Sequence, residues 1–521
     1  MPSAKDASAS PGTTIQAMSD AKQAYQQLVS TLRDIATGDS IGSLLSWDEQ
    51  TQMPPQGAEL RADQSALIAR LSHQRLTSPQ TGELLAAVEG SELVSDPDND
   101  EAVNIREVRR TYDRAVKLPS SLVEELSRTA VLAQHAWIDA RKRSDYPTFQ
   151  PWLSKMLDLK RQEAACVGYT GHLYDALLDL YEPGETTEGL RRVFDELRAP
   201  LVDLVARIAQ STRKAPIHLL QRHFPAAQQA QLARETAECM GFDFSAGRLD
   251  IAIHPFCSGI GPGDCRMTTR YDEAYFGDAF FSVLHETGHA LYEQGLPPIH
   301  WGSPRGEAVS LGIHESQSRM WENLVGRSRP FWRFFFPKVR QAFPEVTGDI
   351  TEDQWVLAVN DVRPSFIRTD ADEVTYNLHI LMRFELEQAM LTGELAVPDI
   401  PAAWNEKTKK YLGLTVPDDA RGCLQDIHWS IGSLGYFPTY TLGNLYAAQF
   451  YEQARRDIAG LDEQLSQGQF TPLLGWLRGR IHSQGKRFRA RQLVKRVTGQ
   501  DLSAGPLLGH LSSKAAEWYG V

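Results

Sequence analysis

His285-Glu286-Thr287-Gly288-His289 sets two imidazoles four positions apart, with a carboxylate next to the first. On a helix, residues four apart share a face, so both rings can reach one cation while Glu286 is directed at a water beside it. The flanking residues fit a helix. Ala279, Phe280, Val283, Leu284, Ala290 and Leu291 supply apolar positions, Asp278 is placed to cap the N-terminus, and Gly295 followed by Pro297 and Pro298 stops it. Two histidines on a helix also occur as ordinary surface or core residues with the glutamate merely solvated. A third ligand decides between these readings, because catalytic zinc normally takes three protein ligands and keeps a fourth position for water.

His314-Glu315-Ser316-Gln317 supplies that ligand after a turn through Gly295 to Gly302. A third histidine six residues after the second, another common arrangement, is excluded because that position is Gly295. The expected ligands are therefore His285, His289 and Glu315. His314 competes with Glu315, but helix neighbours point about 100° apart, so only one of the two faces the metal.

Ile15 to about Gly247 reads mostly as helices, for example Leu122 to Ala140 and Leu190 to Ala209. Between Arg248 and Tyr271 the period changes. Leu249, Ile251 and Ile253 alternate with polar or small residues, then come Pro255, a Gly-rich turn from Ser258 to Gly263 and a second extended run. This predicts a β-hairpin just before the metal helix, where an edge strand can hold a peptide through main-chain hydrogen bonds. Helical pattern resumes after Gly295, with breaks expected at Pro330, Pro337, Pro364, Pro398, Pro401 and Pro417. No internal repeat or long polar linker divides the chain, so lobes of one helical body are expected around a cleft.

With 521 residues and 42% hydrophobic content the chain can bury a large core. A formal net charge of −12 argues against a phosphate-binding surface and hence against nucleic acid. The basic run Lys486, Arg487, Arg489, Arg491, Lys495 and Arg496 reads as a solvated or dimer-facing helix surface. Five sparse cysteines without metal or redox spacing read as reduced thiols. No apolar run reaches the roughly 20 residues of a membrane span. The Ser/Ala/Pro-rich start lacks an apolar core, so the expectation is a cytoplasmic protein with a disordered tail at residues 1–14 ahead of one catalytic domain, 15–521.

Further motifs accompany the metal pair. They are Trp47-Asp48 with Thr51, Met53-Pro54, Gly57 and Arg61-Ala62; His254-Pro255-Phe256; Asp264-Cys265-Arg266-Met267-Thr268; Ile367-Arg368-Thr369-Asp370-Ala371-Asp372; and Gly435-Tyr436-Phe437-Pro438-Thr439-Tyr440. In this order they resemble the signatures of the carboxypeptidase Taq family of metallocarboxypeptidases, from about residue 20 to 515. The resemblance implies a mostly α, zincin-type (neurolysin-like) fold: one saddle-like helical body with a deep groove and a small β-hairpin or sheet beside the zinc helix. It also implies a homodimer and release of single residues, with broad specificity, from peptides with a free C-terminus. The cofactor is expected to be Zn²⁺, with Co²⁺ as a substitute.

For such a reaction the metal polarises the scissile carbonyl and lowers the pKa of its bound water to about 7. Glu286 is the expected general base, taking the water proton and returning it to the departing amine. Terminal carboxylate recognition calls for a bidentate donor. Arg368 is the first choice, against a structural salt bridge to Asp370 or Asp372, and Arg266 is the reserve. Tyr436 or His428 can donate to the tetrahedral intermediate, against a plain packing role. His254 is expected on the groove wall, and Asp264 and Thr268 as supports of the ligands or the hairpin. The partners that fix the ligand histidines are not identified by the sequence, and Arg319 stands where many zincins with a Glu ligand carry an Asp. An oligopeptidase or aminopeptidase is the competing hydrolase, since the metal triad does not choose the bond. A non-catalytic peptide-binding protein with a structural metal is the other alternative. An intact Glu286 and the lack of a fourth ligand argue against it.

Overall fold

Apolar residues at helical spacing dominate the sequence, and the protein is accordingly mostly α-helical with one small sheet. The computed structural model describes residues 11–521, with side chains from Asp20 onward. Of the expected tail, residues 1–10 lie outside the described residues, and the first helix, Pro11–Thr51, starts earlier than the sequence pattern indicated. Among the described residues no helix is long and apolar enough to cross a membrane.

The N-terminal helices enclose a satellite core of Leu28, Leu32, Leu84, Leu85, Val88, Ile105 and Val108. The main core begins with the helix Ser120–Arg143 and runs to the C-terminus. Its densest part is aromatic. Phe276 stacks on Phe280 at 5.0 Å, Phe280 meets Trp332 at 5.3 Å, and Phe331 stacks on Phe335 at 4.4 Å. This cluster anchors the N-terminal half of the helix Phe276–Glu293, the HETGH helix, through Phe276, Phe280 and Leu284. Each such side chain contributes about 1.5–3 kcal/mol on burial. The half that carries the histidines therefore projects from a rigid base.

Some local expectations change. Asp278 does not cap the HETGH helix; it lies in the first turn and pairs with Arg270 at 2.8 Å, while Tyr275 occupies the cap position. Pro337 does not break its helix, Arg329–Ala342, which continues through it. The basic run is solvated only in part, at Lys495 and Arg496. Arg487 pairs with Asp100, Arg489 with Glu107 and Arg491 with Glu185, so these cations bind the C-terminal segment to acidic groups on earlier segments.

The expected hairpin is part of a three-stranded sheet: β1 (Gly247–Ile251), β2 (Cys257–Gly261) and β3 (Asp264–Thr269), in the order β1-β3-β2. β1 is parallel to β3 and β2 antiparallel to it, with an irregularity between Gly259 and Gly261. Ser258 to Gly261, four of the six residues read as a turn, thus belong to strand β2, and Ile251 and Ile253 face outward, being 66% and 77% exposed. The sheet packs on the HETGH helix and on the long first helix, whose buried Trp47 carries the Arg266 guanidinium at 4.3 Å and that of Arg248 at 4.9 Å.

Candidate metal centre and active site

Two helices meet at the site. The HETGH helix supplies His285 and His289, and the helix Leu311–Arg319 supplies Glu315. Ser310 caps the second helix by accepting from the Ile313 amide at 3.1 Å, and the buried Glu182 carboxyl takes the Ser310 hydroxyl and the Gly312 amide. The helices approach at Gly288, where a Cβ would fall 2.6 Å from both the Gln317 carbonyl oxygen and Ser318 Cα. From the other side Gly443, on the helix Pro438–Asp457, leaves room for Glu315: a Cβ there would lie 2.4 Å from Glu315 Cγ. Two absent side chains thus set the position of Glu315.

His285, His289 and Glu315 bring one ligand atom each to within 4.8 Å of one another. Glu315 Oε2 lies 3.7 Å from His285 Nε2 and 3.4 Å from His289 Nε2. The other ring nitrogens are committed. His285 Nδ1 is 2.9 Å from Glu322 Oε2, so it carries a proton and donates to that carboxylate. His314 Nε2 donates to Glu293 Oε1 at 2.8 Å, which leaves His314 Nδ1 to accept from His289 Nδ1 at 2.6 Å. Both ligand histidines are then Nδ1–H tautomers with free Nε2 lone pairs. Two neutral imidazoles and an ionised carboxylate are the donor set that suits a divalent ion of zinc type. His314 faces away from that focus and serves as the orienting partner of His289.

For His289 the electrostatics agree. Burial, then the neighbouring His314, lowers His289 to about 3, which keeps it neutral. Burial also opposes His285, but Glu315 and the bond to Glu322 outweigh it and raise its basicity. Burial would raise Glu315, yet Arg319 and the two histidines hold its carboxyl well below the usual range. Arg319 Nε donates to Glu315 Oε1 at 2.7 Å and its Nη1 reaches Glu322 at 3.3 Å. The cation at the position where other zincins place an aspartate therefore holds the third ligand and an orienting carboxylate together. Glu286 is buried beside the triad, and burial pushes its carboxyl up to about 7, the range a general base needs near neutrality.

Beyond Arg319 lies Tyr376, whose ring takes the Arg319 guanidinium at 4.3 Å and that of Arg368 at 5.8 Å. Arg368 is thus one side chain removed from the ligand network. Its salt-bridge partner is neither Asp370 nor Asp372. Nε and Nη2 donate to Asp426 Oδ1 at 3.0 and 2.8 Å, and Nη1 donates to the Tyr376 hydroxyl at 2.9 Å. The other Asp426 oxygen is held by Arg383. Two residues beyond Asp426, His428 packs on Phe437 at 4.4 Å and on Tyr436 at 5.4 Å. Burial pushes the Tyr436 phenol up to about 12, so it stays a donor. The loop from Asp426 to Tyr436 is fixed by the buried Glu387 carboxyl, which accepts from Trp429 Nε1, the Gly435 amide and the Tyr174 hydroxyl.

The remaining candidates lie on the sheet. Arg266 forms a two-armed pair with Asp264, each bond 2.8 Å, against Trp47. Thr268 Oγ1 accepts the Phe256 amide at 2.9 Å and so pins the segment that carries His254, which is exposed. Sequence reasoning missed Glu322, Glu293, Tyr376, Asp426 and Glu387. The first two carried a signal: Glu293 is one helical turn past His289, and Glu322 two turns past Glu315.

A family model described as carboxypeptidase Taq (M32) metallopeptidase matches residues 27–515. Thermostable carboxypeptidase 1 of Thermus thermophilus is 49% identical over 506 residues, covering 95% of this chain and 99% of that protein. Carboxypeptidase 1 of Bacillus subtilis is 37% identical over 488 residues, covering 94% and 97%. The crystal structure of the M32 carboxypeptidase from Deinococcus radiodurans R1 matches with a TM-score of 0.92 at 42% identity, covering 96% of this chain and all of that one.

Proposed function

Because the chain belongs to the carboxypeptidase Taq (M32) metallopeptidase family and is a metal-dependent carboxypeptidase acting on peptides, we propose that His285, His289 and Glu315 hold its metal and that Glu286 is the general base. The observation that carries this reading is the convergence of three ligand atoms within 4.8 Å, with both outer ring nitrogens already used. Zn²⁺ fits the donor set best, and Co²⁺ is a working substitute. Bound there, a divalent ion supplies a Lewis acid for the scissile carbonyl and acidifies water. Glu286 accepts the proton of the attacking water and delivers it to the departing amine, which leaves more readily neutral than as an amide anion. Tyr436 and His428 donate to the developing oxyanion.

Arg368 is the proposed receptor for the terminal carboxylate. Among the described residues its Nη1 edge is held by the neutral Tyr376 hydroxyl alone, and a carboxylate is the stronger acceptor for a guanidinium. Asp426 keeps the rest of the fork in place meanwhile. Arg266 and His254 have the lesser part of shaping the sheet side of the substrate path. Release of single residues with broad specificity, a homodimer and a cytoplasmic location complete the proposal. Five free thiols suit a reducing compartment, and light scattering at twice 58.3 kDa tests the dimer.

Metal analysis tests the ligand set. His285→Ala, His289→Ala and Glu315→Ala should each lose the ion, whereas His314→Ala should keep it with weaker affinity. Retention of metal at wild-type affinity by Glu315→Ala would remove Glu315 from the set. An N-blocked peptide and its C-terminal amide test the reaction: amino-acid release only from the free acid, abolished by a chelator, is expected, and equal cleavage of both would indicate an endopeptidase.

A further inference from the structure

Two of the five cysteines lie together. Cys257 on β2 and Cys265 on β3 have their sulfurs 3.7 Å apart. The strand register pairs Cys257 with Met267 and Cys265 with Gly259, so the two are diagonal neighbours on one face of the hairpin that packs on the HETGH helix. We propose that Cys257 and Cys265 form a dithiol site for a soft, thiophilic Lewis acid, and that filling this site arrests the neighbouring active site.

The separation favours a chelate over a disulfide. Two thiolates on one tetrahedral ion, each at about 2.3 Å, stand about 3.8 Å apart. A disulfide requires about 2.05 Å between sulfurs and resists closure when the Cα atoms are more than about 7 Å apart, and diagonal strand neighbours stand about 7–8 Å apart. The ligand fits the sulfurs as they are, whereas the disulfide needs the strands to move. Access exists as well. Cys257 is half-buried, and Cys265 lines a cavity of about 330 Å³ together with Gly259 and Glu293.

Glu293 connects this site to the metal centre. Its Oε1 orients His314 and, through it, His289, while a Cβ on Gly259 would fall 2.3 Å from its Oε2. The second carboxylate oxygen therefore rests against β2, beside the sulfurs. A Lewis acid held by the two sulfurs draws on that carboxylate and loosens its hold on His314. The Cys265 thiol, then burial, then Glu286 and Glu293 raise the Cys257 thiol well above its usual range, so Cys257 waits as a neutral thiol that gives up its proton only to a ligand.

Phenylarsine oxide is the probe, because it binds paired thiols and has no affinity for the His/Glu donor set. The reaction is balanced without an oxidant: the arsenic–oxygen bond gives way to two arsenic–sulfur bonds, and the oxygen leaves as water with the two thiol protons. One equivalent added to the holoenzyme should give a single adduct by intact mass, bridging the peptides that carry Cys257 and Cys265. Amino-acid release should fall, and a small dithiol should restore it. Replacing either thiol turns a chelate into a single bond and should weaken binding by about 10²–10⁴-fold, so Cys257→Ser should keep its basal activity and escape inhibition. Cys265→Ser should behave likewise; because Cys265 is buried, peptide mapping of the wild type and Cys257→Ser decide without it. An adduct on other cysteines, full activity of the modified enzyme, or inhibition that survives in Cys257→Ser would overturn the proposal. Only the arrest of turnover rests on the roles proposed for Glu293, His314 and His289; the adduct is read by mass, so failure of the site and failure of those roles give different results.

Discussion

Gly288→Ala isolates the geometry on which the metal centre depends. In a free helix this change is stabilising by up to about 1 kcal/mol, since alanine is the better helix former. Here the new methyl would lie 2.6 Å from the Gln317 carbonyl oxygen and 2.6 Å from Ser318 Cα. Both are backbone atoms and cannot rotate aside. Ordinary carbon contacts begin at about 3.5 Å, so the two helices must part by roughly 1 Å. Overpacking of this kind costs typically about 1–3 kcal/mol, which cancels or exceeds the propensity gain of about 1 kcal/mol and leaves a net loss of up to roughly 2 kcal/mol. The separation also moves Glu315 away from His285 and His289, and metal–ligand distances tolerate only about 0.2 Å. Affinity for the ion should therefore fall by at least about 10–100-fold. Thermal unfolding of the metal-free protein and chelator competition on the loaded one measure the two effects separately. An alanine variant as stable as wild type, with unchanged metal affinity, would refute the claim that contact at Gly288 sets the site.

Removing an orienting group should weaken the metal without abolishing it. Glu322→Gln and His314→Ala are each expected to lower affinity by about 10–100-fold, measured by chelator competition, and complete loss of the ion in either would make that residue a ligand. Arg368→Lys should raise KM for blocked dipeptides by about tenfold or more with a smaller change in kcat, because an ammonium lacks the planar fork; a kcat defect with KM intact would take Arg368 out of carboxylate binding. Glu387 should leave a mark on stability. Burial lifts its folded-state carboxyl from 4.5 to about 7. Below both values the group is protonated in either state and has no effect; between them the unfolded chain ionises first. Wild-type stability should thus drop as pH rises from about 4.5 to about 7, by at most roughly 3 kcal/mol. Glu387→Gln should remove that component in urea unfolding at pH 5 and pH 8, and an equal pH dependence in both proteins would contradict the assignment.

Local pattern and long-range pairing were legible in the sequence to different degrees. The HETGH helix, its apolar face and its stop ahead of Gly295 followed from residues adjacent in the chain, and so did the Leu311–Arg319 helix with Glu315. The cap at Asp278 was misread because Arg270, on the approach from the sheet, competes for that carboxylate. Strand β2 was hidden by its glycines, which read as a turn. Gly259 stays in a strand because Glu293 needs the space a side chain would fill. Glu322 and Glu293 were within reach of helical spacing, but the inversion at Arg319 drew attention to a missing aspartate instead of to the carboxylates it joins. Asp426 and Glu387 left no local trace. Their partners Arg368, Arg383, Tyr174 and Trp429 lie tens to hundreds of positions away, and only the folded chain brings them together.

Glu286→Gln separates metal binding by the triad from proton transfer by Glu286. Metal content and amino-acid release from a blocked peptide are measured on the same preparation. Metal should remain bound at wild-type stoichiometry while turnover falls by about 10²–10⁴-fold or more. Near-normal turnover with metal bound would contradict the general-base role, and loss of the metal would show that Glu286 belongs to the ligand set.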